Sequence, residues 1–128
     1  MRWLLDTHIA LWALADSPRL AQKARGILLD PDSVIAVSAA SLWEVAIKHA
    51  LRPAVMPDSA EVVLAYCREA GYEIIDMTAE AAVEVGRLPA VHQDPFDRML
   101  VAQARVGGWR LLTADATLAG YGEMVLVV

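Results

Sequence analysis

The chain has 128 residues, enough for one domain with a sizeable core and too few for two ordinary ones. A hydrophobic share of 57% and a mean hydropathy of +0.40 require either a membrane segment or apolar surface kept for partners. No run approaches the roughly 18 apolar residues that a spanning helix needs, because Asp6, His8, Asp16 and residues 38–44 interrupt the candidates. The net charge of −5 excludes nucleic-acid binding by bulk electrostatics alone, since neutralising a phosphate backbone takes surplus Lys and Arg.

In chain order, "RWLL" (2–5) is a short apolar run ending at Asp6, which predicts a buried strand and does not read as a signal peptide. "HIALWALAD" has its apolar residues at near-helical spacing. Ser17 and Pro18 then predict a helix start, with Ser17 as cap and Pro18 in the first helical position. "SVIAV" is a β-branched strand, followed by the helical "SAASLWEVAIKHAL". The next helix is expected after Pro57, with Asp58 and Glu61 spaced as a capping box and Gly71 as its stop. "YEIIDM" reads as a third strand, and Thr78 caps "AEAAVEVGRL". A helix from about Asp94 to Val106 ends at Gly107–Gly108, "WRLLTAD" is a fourth strand and "MVLVV" a fifth.

Strands that are continuous apolar runs, alternating with helices, predict a mostly parallel sheet covered on both faces, a three-layer α/β/α sandwich. One domain spans 1–128, with no repeat or linker dividing it. The single cysteine, Cys67, excludes an internal disulfide and a cysteine-cluster zinc site, and reads as a small buried thiol. A soluble, cytoplasmic protein with a sticky interface is expected.

Sites in open α/β sheets form beyond the carboxyl ends of the strands. Asp6 follows the first strand, Asp115 the fourth, Glu44 lies early in the helix after the second, and Asp97 in the first turn of the penultimate helix. Four carboxylates are therefore expected on one edge. Like charges crowd together at a cost unless something positive binds between them. An all-oxygen site suits Mg²⁺ or Mn²⁺, which polarises a phosphodiester and activates water. Each acid also has an ordinary reading. Asp6 can end a strand or cap a helix. Glu44 completes Ser41-Leu42-Trp43-Glu44 as a capping box and pairs with Lys48. Asp94 caps before Pro95, and Asp115 can be a turn acid. Asp97 is the exception, since its turn already has a cap and it borders the stripe Phe96, Leu100, Gln103.

The remaining polar and aromatic residues read as scaffold. His8 and His92 flank the acids in sequence without zinc-like grouping, and His49 reads as helix surface. Trp3, Trp12, Trp43 and Trp109 read as core and interface, and Lys48, Arg52, Arg87 and Arg98 as solvated surface that could track a phosphate backbone.

"LLDTHIALWAL", "SAASLWEVAIK", "HQDPFDRMLVAQA" and "LLTADATL" resemble, in order and over essentially the whole chain, the PIN-domain ribonucleases, and most closely the VapC-type toxins of toxin–antitoxin modules. The resemblance implies an α/β/α sandwich that holds Mg²⁺ or Mn²⁺ and cuts RNA. By motif it implies Asp6, Glu44, Asp97 and Asp115 as catalytic and metal-holding acids, with Thr113 as a supporting hydroxyl. It further implies a homodimer and a cognate VapB-like antitoxin that covers an apolar groove and blocks the acids. The rival is a non-catalytic PIN-like module that occupies RNA or a partner protein. An aspartyl phosphotransferase is disfavoured, because His8 stands where a D-x-D pair would need its second acid.

Overall fold

A computed structural model describes residues 1–128. The first strand, β1 (Arg2–Leu5), sends alternate side chains into two cores, as the period-two geometry of a strand requires. Trp3 and Leu5 enter one, with Ile35 and Val37 of β2 (Val34–Ser38), and Leu4 and Ala36 enter the other. The sheet is completed by β3 (Glu73–Ile75), β4 (Arg110–Thr113) and β5 (Val125–Val127), in the order β3-β2-β1-β4-β5 with every neighbouring pair parallel. In register, Leu4 stands beside Ala36 on one flank and Leu111 on the other.

Helices cover both faces, giving the three-layer sandwich expected from the apolar runs. The first core is closed by Ile9 of α1 (Thr7–Leu14), Ala24 of α2 (Gln22–Leu29), Val45 of α3 (Ala39–Leu51) and Cys67 of α4 (Ala60–Glu69). The second is closed by α6 (Pro95–Gly107), which buries Leu100, Val101 and Ala104, and by Leu118 and Tyr121 of a 3₁₀ helix (Ala116–Tyr121). The remaining helix, α5 (Ala79–Val85), packs on α6. Leu100 is fully buried, so Leu100→Ala is expected to lower stability by about 2–5 kcal/mol, read as a shift in the urea midpoint. No helix is long and apolar enough to cross a membrane.

Several local expectations are met. Thr78 Oγ1 accepts the Ala81 N–H at 3.1 Å, and Asp94 Oδ1 accepts those of Phe96 and Asp97 at 2.8 and 3.1 Å ahead of Pro95. Gly71 and Gly108 close α4 and α6 with φ of 79° and 68°, which glycine adopts without a Cβ penalty. Cys67 is buried, and its thiol is pushed up by that burial.

Three helix starts differ. Ser17 does not begin a helix: its Oγ and C=O accept the Arg19 and Leu20 N–H groups at 3.2 and 3.1 Å in an isolated turn, which Arg25 clamps through Ser17 O and Asp16. The helix begins instead at Gln22. Ser59, not Asp58, caps α4 by accepting the Val62 N–H. Ser38, not Ser41, caps α3, because β2 runs into that helix with no intervening loop. The proposed Ser41–Glu44 capping box therefore does not exist.

Candidate metal centre

β1 pairs with β2 on one side and β4 on the other, so the chain's crossovers depart in opposite directions from the β1–β4 seam. A crevice opens beyond the carboxyl ends at such a switch point. Asp6 lies one residue past β1 and Asp115 two past β4. Thr113 spans the seam, its hydroxyl donating to Asp6 Oδ2 at 2.6 Å and accepting the Asp115 N–H at 3.0 Å.

The ordinary explanations separate the acids. Asp6 occupies the N-cap position of α1 but makes no side-chain cap bond, and it is only 5% exposed. Its Oδ1 is buried with no hydrogen-bond partner. Glu44 is equally buried. Its Oε2 pairs with Lys48 Nζ at 2.5 Å, as the i, i+4 spacing predicts, while Oε1 has no partner. Asp115 does cap, its Oδ1 accepting the Thr117 N–H at 2.9 Å. Asp97 takes the third position of α6 behind the Asp94 cap.

Ligand atoms of His92, Asp97 and Asp115 lie within 4.8 Å of one another, a grouping that leaves out Asp6 and Glu44, and charge couples those two to Asp97. Burial pushes the Asp97 carboxyl up to about 7, with the negative charges of Asp6, Asp94 and Glu44 adding to it and His92 opposing. Burial also raises Asp6, against the Thr113 hydrogen bond, with Glu44 again pushing upward. Slight burial of Asp115 works upward too, but hydrogen bonds from Thr117 and His92 outweigh it, and the carboxyl lies below its ordinary value.

Beneath the acids the polar groups are tied together. Thr7 Oγ1 donates to Ser41 Oγ at 2.7 Å, joining the start of α1 to α3. Ser38 Oγ donates to Gln103 Oε1 at 2.6 Å, and Gln103 Nε2 donates to Asp76 O at 3.0 Å, joining α3 to α6 and the end of β3. Against this background, in which buried polar groups find partners, the two orphaned carboxylate oxygens stand out. An unpaired buried carboxylate is costly, and a hard divalent cation is the oxygen-seeking group that relieves it. The residues present fit a hard divalent cation.

His92 is not scaffold alone: its Nε2 lies 2.9 Å from Asp115 Oδ2 and 3.5 Å from Asp97 Oδ2. Nothing local in "PAVHQ" marks it, since Asp115 is 23 residues away. Gln103 did leave a trace, as a polar residue on the apolar face of α6. Arg98 is no free phosphate contact: its guanidinium donates to the carbonyls of Val85, Pro89 and His92 and to Tyr121 Oη, strapping the loop before α6. Nor is His49 plain surface, since its Nδ1 bonds Met56 O at 2.8 Å. Trp3 and Trp109 are core, whereas Trp43 is 55% exposed and meets Phe96 edge-on.

The profile of the PIN domain matches residues 3–123. The chain belongs to the PIN-domain family. A curated relative, ribonuclease VapC22 of Mycobacterium tuberculosis, is 31% identical over 121 residues, covering 92% of this chain and 90% of the relative. This places the PIN domain described here alongside VapC proteins, in agreement with the four motifs. Among solved structures, VapBC2 of Rickettsia felis, bound to a DNA fragment from its promoter, aligns with a TM-score of 0.69 at 17% identity, covering 100% of this chain and 98% of that one. VapC20 of Mycobacterium tuberculosis, a toxin that cleaves the sarcin–ricin loop, aligns at 0.63 and 18% identity, covering 94% and 97%. At these identities the two structures show the fold, the α/β/α sandwich that the apolar strands predict and the motif resemblance implies.

Proposed function

We propose that this PIN domain is a metal-dependent endoribonuclease, the toxin of a toxin–antitoxin module. The observation that carries the reading is the pair of buried, partnerless oxygens, Asp6 Oδ1 and Glu44 Oε1, beside an Asp97 whose ionisation its neighbours resist. Asp6 and Asp97 are the principal ligands in this reading, with Glu44 and Asp115 completing the shell directly or through water. A bound Mg²⁺ or Mn²⁺ supplies charge that polarises the scissile phosphate and makes hydroxide available at neutral pH.

The chain's own residues prepare that site by tethering one oxygen of an acid and leaving the other free. Thr113 holds Asp6 Oδ2, and Lys48 holds Glu44 Oε2. The Asp94 cap fixes the first turn of α6 and with it the position of Asp97. Burial keeps Asp6 and Glu44 away from bulk water, where their charges would be screened. The overall charge of −5 does not oppose RNA at the site, because a metallated acid cluster reverses its local field.

Partners follow from the same reading. A groove of about 800 Å³ between α1 and α3 is lined by Leu11, Trp12, Ile47, Leu51 and Val55 and includes Lys48, the partner of Glu44. An apolar segment of a VapB-like antitoxin laid there reaches the acid edge. Exposed Leu51 and Val55, 75% and 70% accessible, suit such a cover, and a homodimer accounts for apolar surface elsewhere.

Purified protein is expected to cleave RNA with Mg²⁺ or Mn²⁺ and to stop on chelation, measured across a panel of transfer, ribosomal and messenger RNAs. Intact RNA throughout that panel sinks the enzymatic reading. Growth arrest that survives both Asp6→Asn and Asp97→Asn favours a binding module instead.

A further inference from the structure

His92 presents Nε2 within 4.8 Å of ligand atoms on Asp97 and Asp115, a grouping that could itself be taken for a nitrogen-containing metal site. The other ring nitrogen argues otherwise. Nδ1 accepts the Asp94 backbone N–H at 3.0 Å, so it bears no proton. In the neutral ring the proton is then on Nε2, which becomes a donor with no lone pair for a cation.

That donor faces Asp115 Oδ2 at 2.9 Å, with Asp97 Oδ2 a further neighbour at 3.5 Å. Asp115 needs holding. Its side chain is 38% exposed against 18% for Asp97, and its other oxygen is committed to the Thr117 N–H. The backbone that carries the ring is fixed from outside. The His92 N–H donates to Tyr121 Oη at 3.0 Å, and the Arg98 guanidinium donates to His92 O at 3.3 Å. The Asp94 cap, the Arg98 strap and the 3₁₀ helix thus converge on one residue, the first on its ring and the other two on its backbone.

We propose that His92 is a positioning residue of the acid cluster: its Nε2–H holds Asp115 beside Asp97, and it does not ligate the cation. The inference rests on the metal-nuclease reading for what the cluster does, but its tautomer and hydrogen bond are independent of that reading. Groups that orient a metal site from behind its ligands are worth about 10–100-fold in affinity or activity.

The test is long-range ¹H–¹⁵N NMR of the histidine rings in the full chain, without cation and with saturating Mg²⁺. The expected His92 spectrum has a pyridine-like Nδ1 and a protonated Nε2, unchanged by Mg²⁺. A protonated Nδ1 overturns the hydrogen-bond assignment on which the proposal stands, and an Nε2 that loses its proton when Mg²⁺ is added overturns it by making His92 a ligand. Calorimetric Mg²⁺ titration supplies the second arm. His92→Leu is expected to weaken binding by about tenfold or more. His92→Gln, which keeps a donor at that reach, is expected to recover most of it. A glutamine variant as weak as the leucine one, or a leucine variant that binds like wild type, also overturns it. Failure of wild-type protein to cleave RNA removes the ribonuclease reading and leaves the NMR result standing.

Discussion

Replacing Asp97 by Asn is expected to abolish RNA cleavage while making the metal-free protein more stable above pH 7. Both effects have one cause. Asp97 sits half-buried among Asp6, Asp94 and Glu44, and its carboxyl is held up to about 7 by burial and by those charges. Asparagine removes the repulsion and, at neutral to alkaline pH, is expected to raise folding stability by about 1–3 kcal/mol. It also removes an anionic ligand. Since groups behind a metal's ligands are worth about 10–100-fold, loss of a ligand is expected to exceed about a hundredfold in cleavage rate. Stability gained at the expense of activity is the signature of a strained functional site.

The control is three residues earlier. Asp94 caps α6 through Oδ1 to two N–H groups, and asparagine caps as well as aspartate does. Asp94→Asn should therefore change stability and cleavage little. Thermal melts and a single-turnover cleavage assay on the two variants decide between these roles. Equal loss of activity in both would place Asp94 within the site.

The second large effect is a dependence of metal-free stability on pH. The unfolded chain releases the Asp97 proton near 3.8, whereas the folded chain keeps it to about 7. Between those values the folded state binds more protons, so stability falls as pH rises, and the loss is complete above about 7. Asp6 is shifted in the same direction, chiefly by burial, and adds to the trend. The combined effect is on the order of a few kcal/mol. A cation that binds only the folded state reverses it by mass action. Melting temperature is expected to fall from acid to neutral pH without metal, and Mg²⁺ is expected to raise it most at and above neutrality. Calorimetry in buffers of different ionisation enthalpy should then show proton release on Mg²⁺ binding below pH 7 that disappears in alkali. A metal-free melting curve that is flat with pH would exclude a strained acid cluster.

Much of this molecule is legible in short stretches of its sequence. "RWLL" and "RLLT" are strands because apolar runs of that length are buried on both faces of a parallel sheet. "DPFD" starts a helix because a side-chain acceptor and a proline act within one turn. Glu44 and Lys48 pair because the helix sets them one turn apart. Even the linkage of Asp6 to Asp115 through Thr113 is foreseeable in outline, because strand carboxyl ends share an edge once the sheet is parallel.

The tertiary structure decided the rest. Whether Ser38 or Ser41 capped α3 depended on β2 entering that helix without a loop, and on Thr7, 34 residues away, taking the Ser41 hydroxyl as its partner. Asp6 is held by Thr113, 107 residues distant, and makes no cap bond to α1, and His92 meets Asp115, 23 residues further along the chain. Arg98 reads as surface in its own helix and becomes a strap only when Tyr121 and the loop before α6 close over it. Helix periodicity, capping preference and strand burial act over a few residues, and composition and order alone can specify them. A hydrogen bond is made only within a few tenths of an ångström of its ideal length. For partners a hundred residues apart, that condition is met by the packed sheet and not by spacing along the chain.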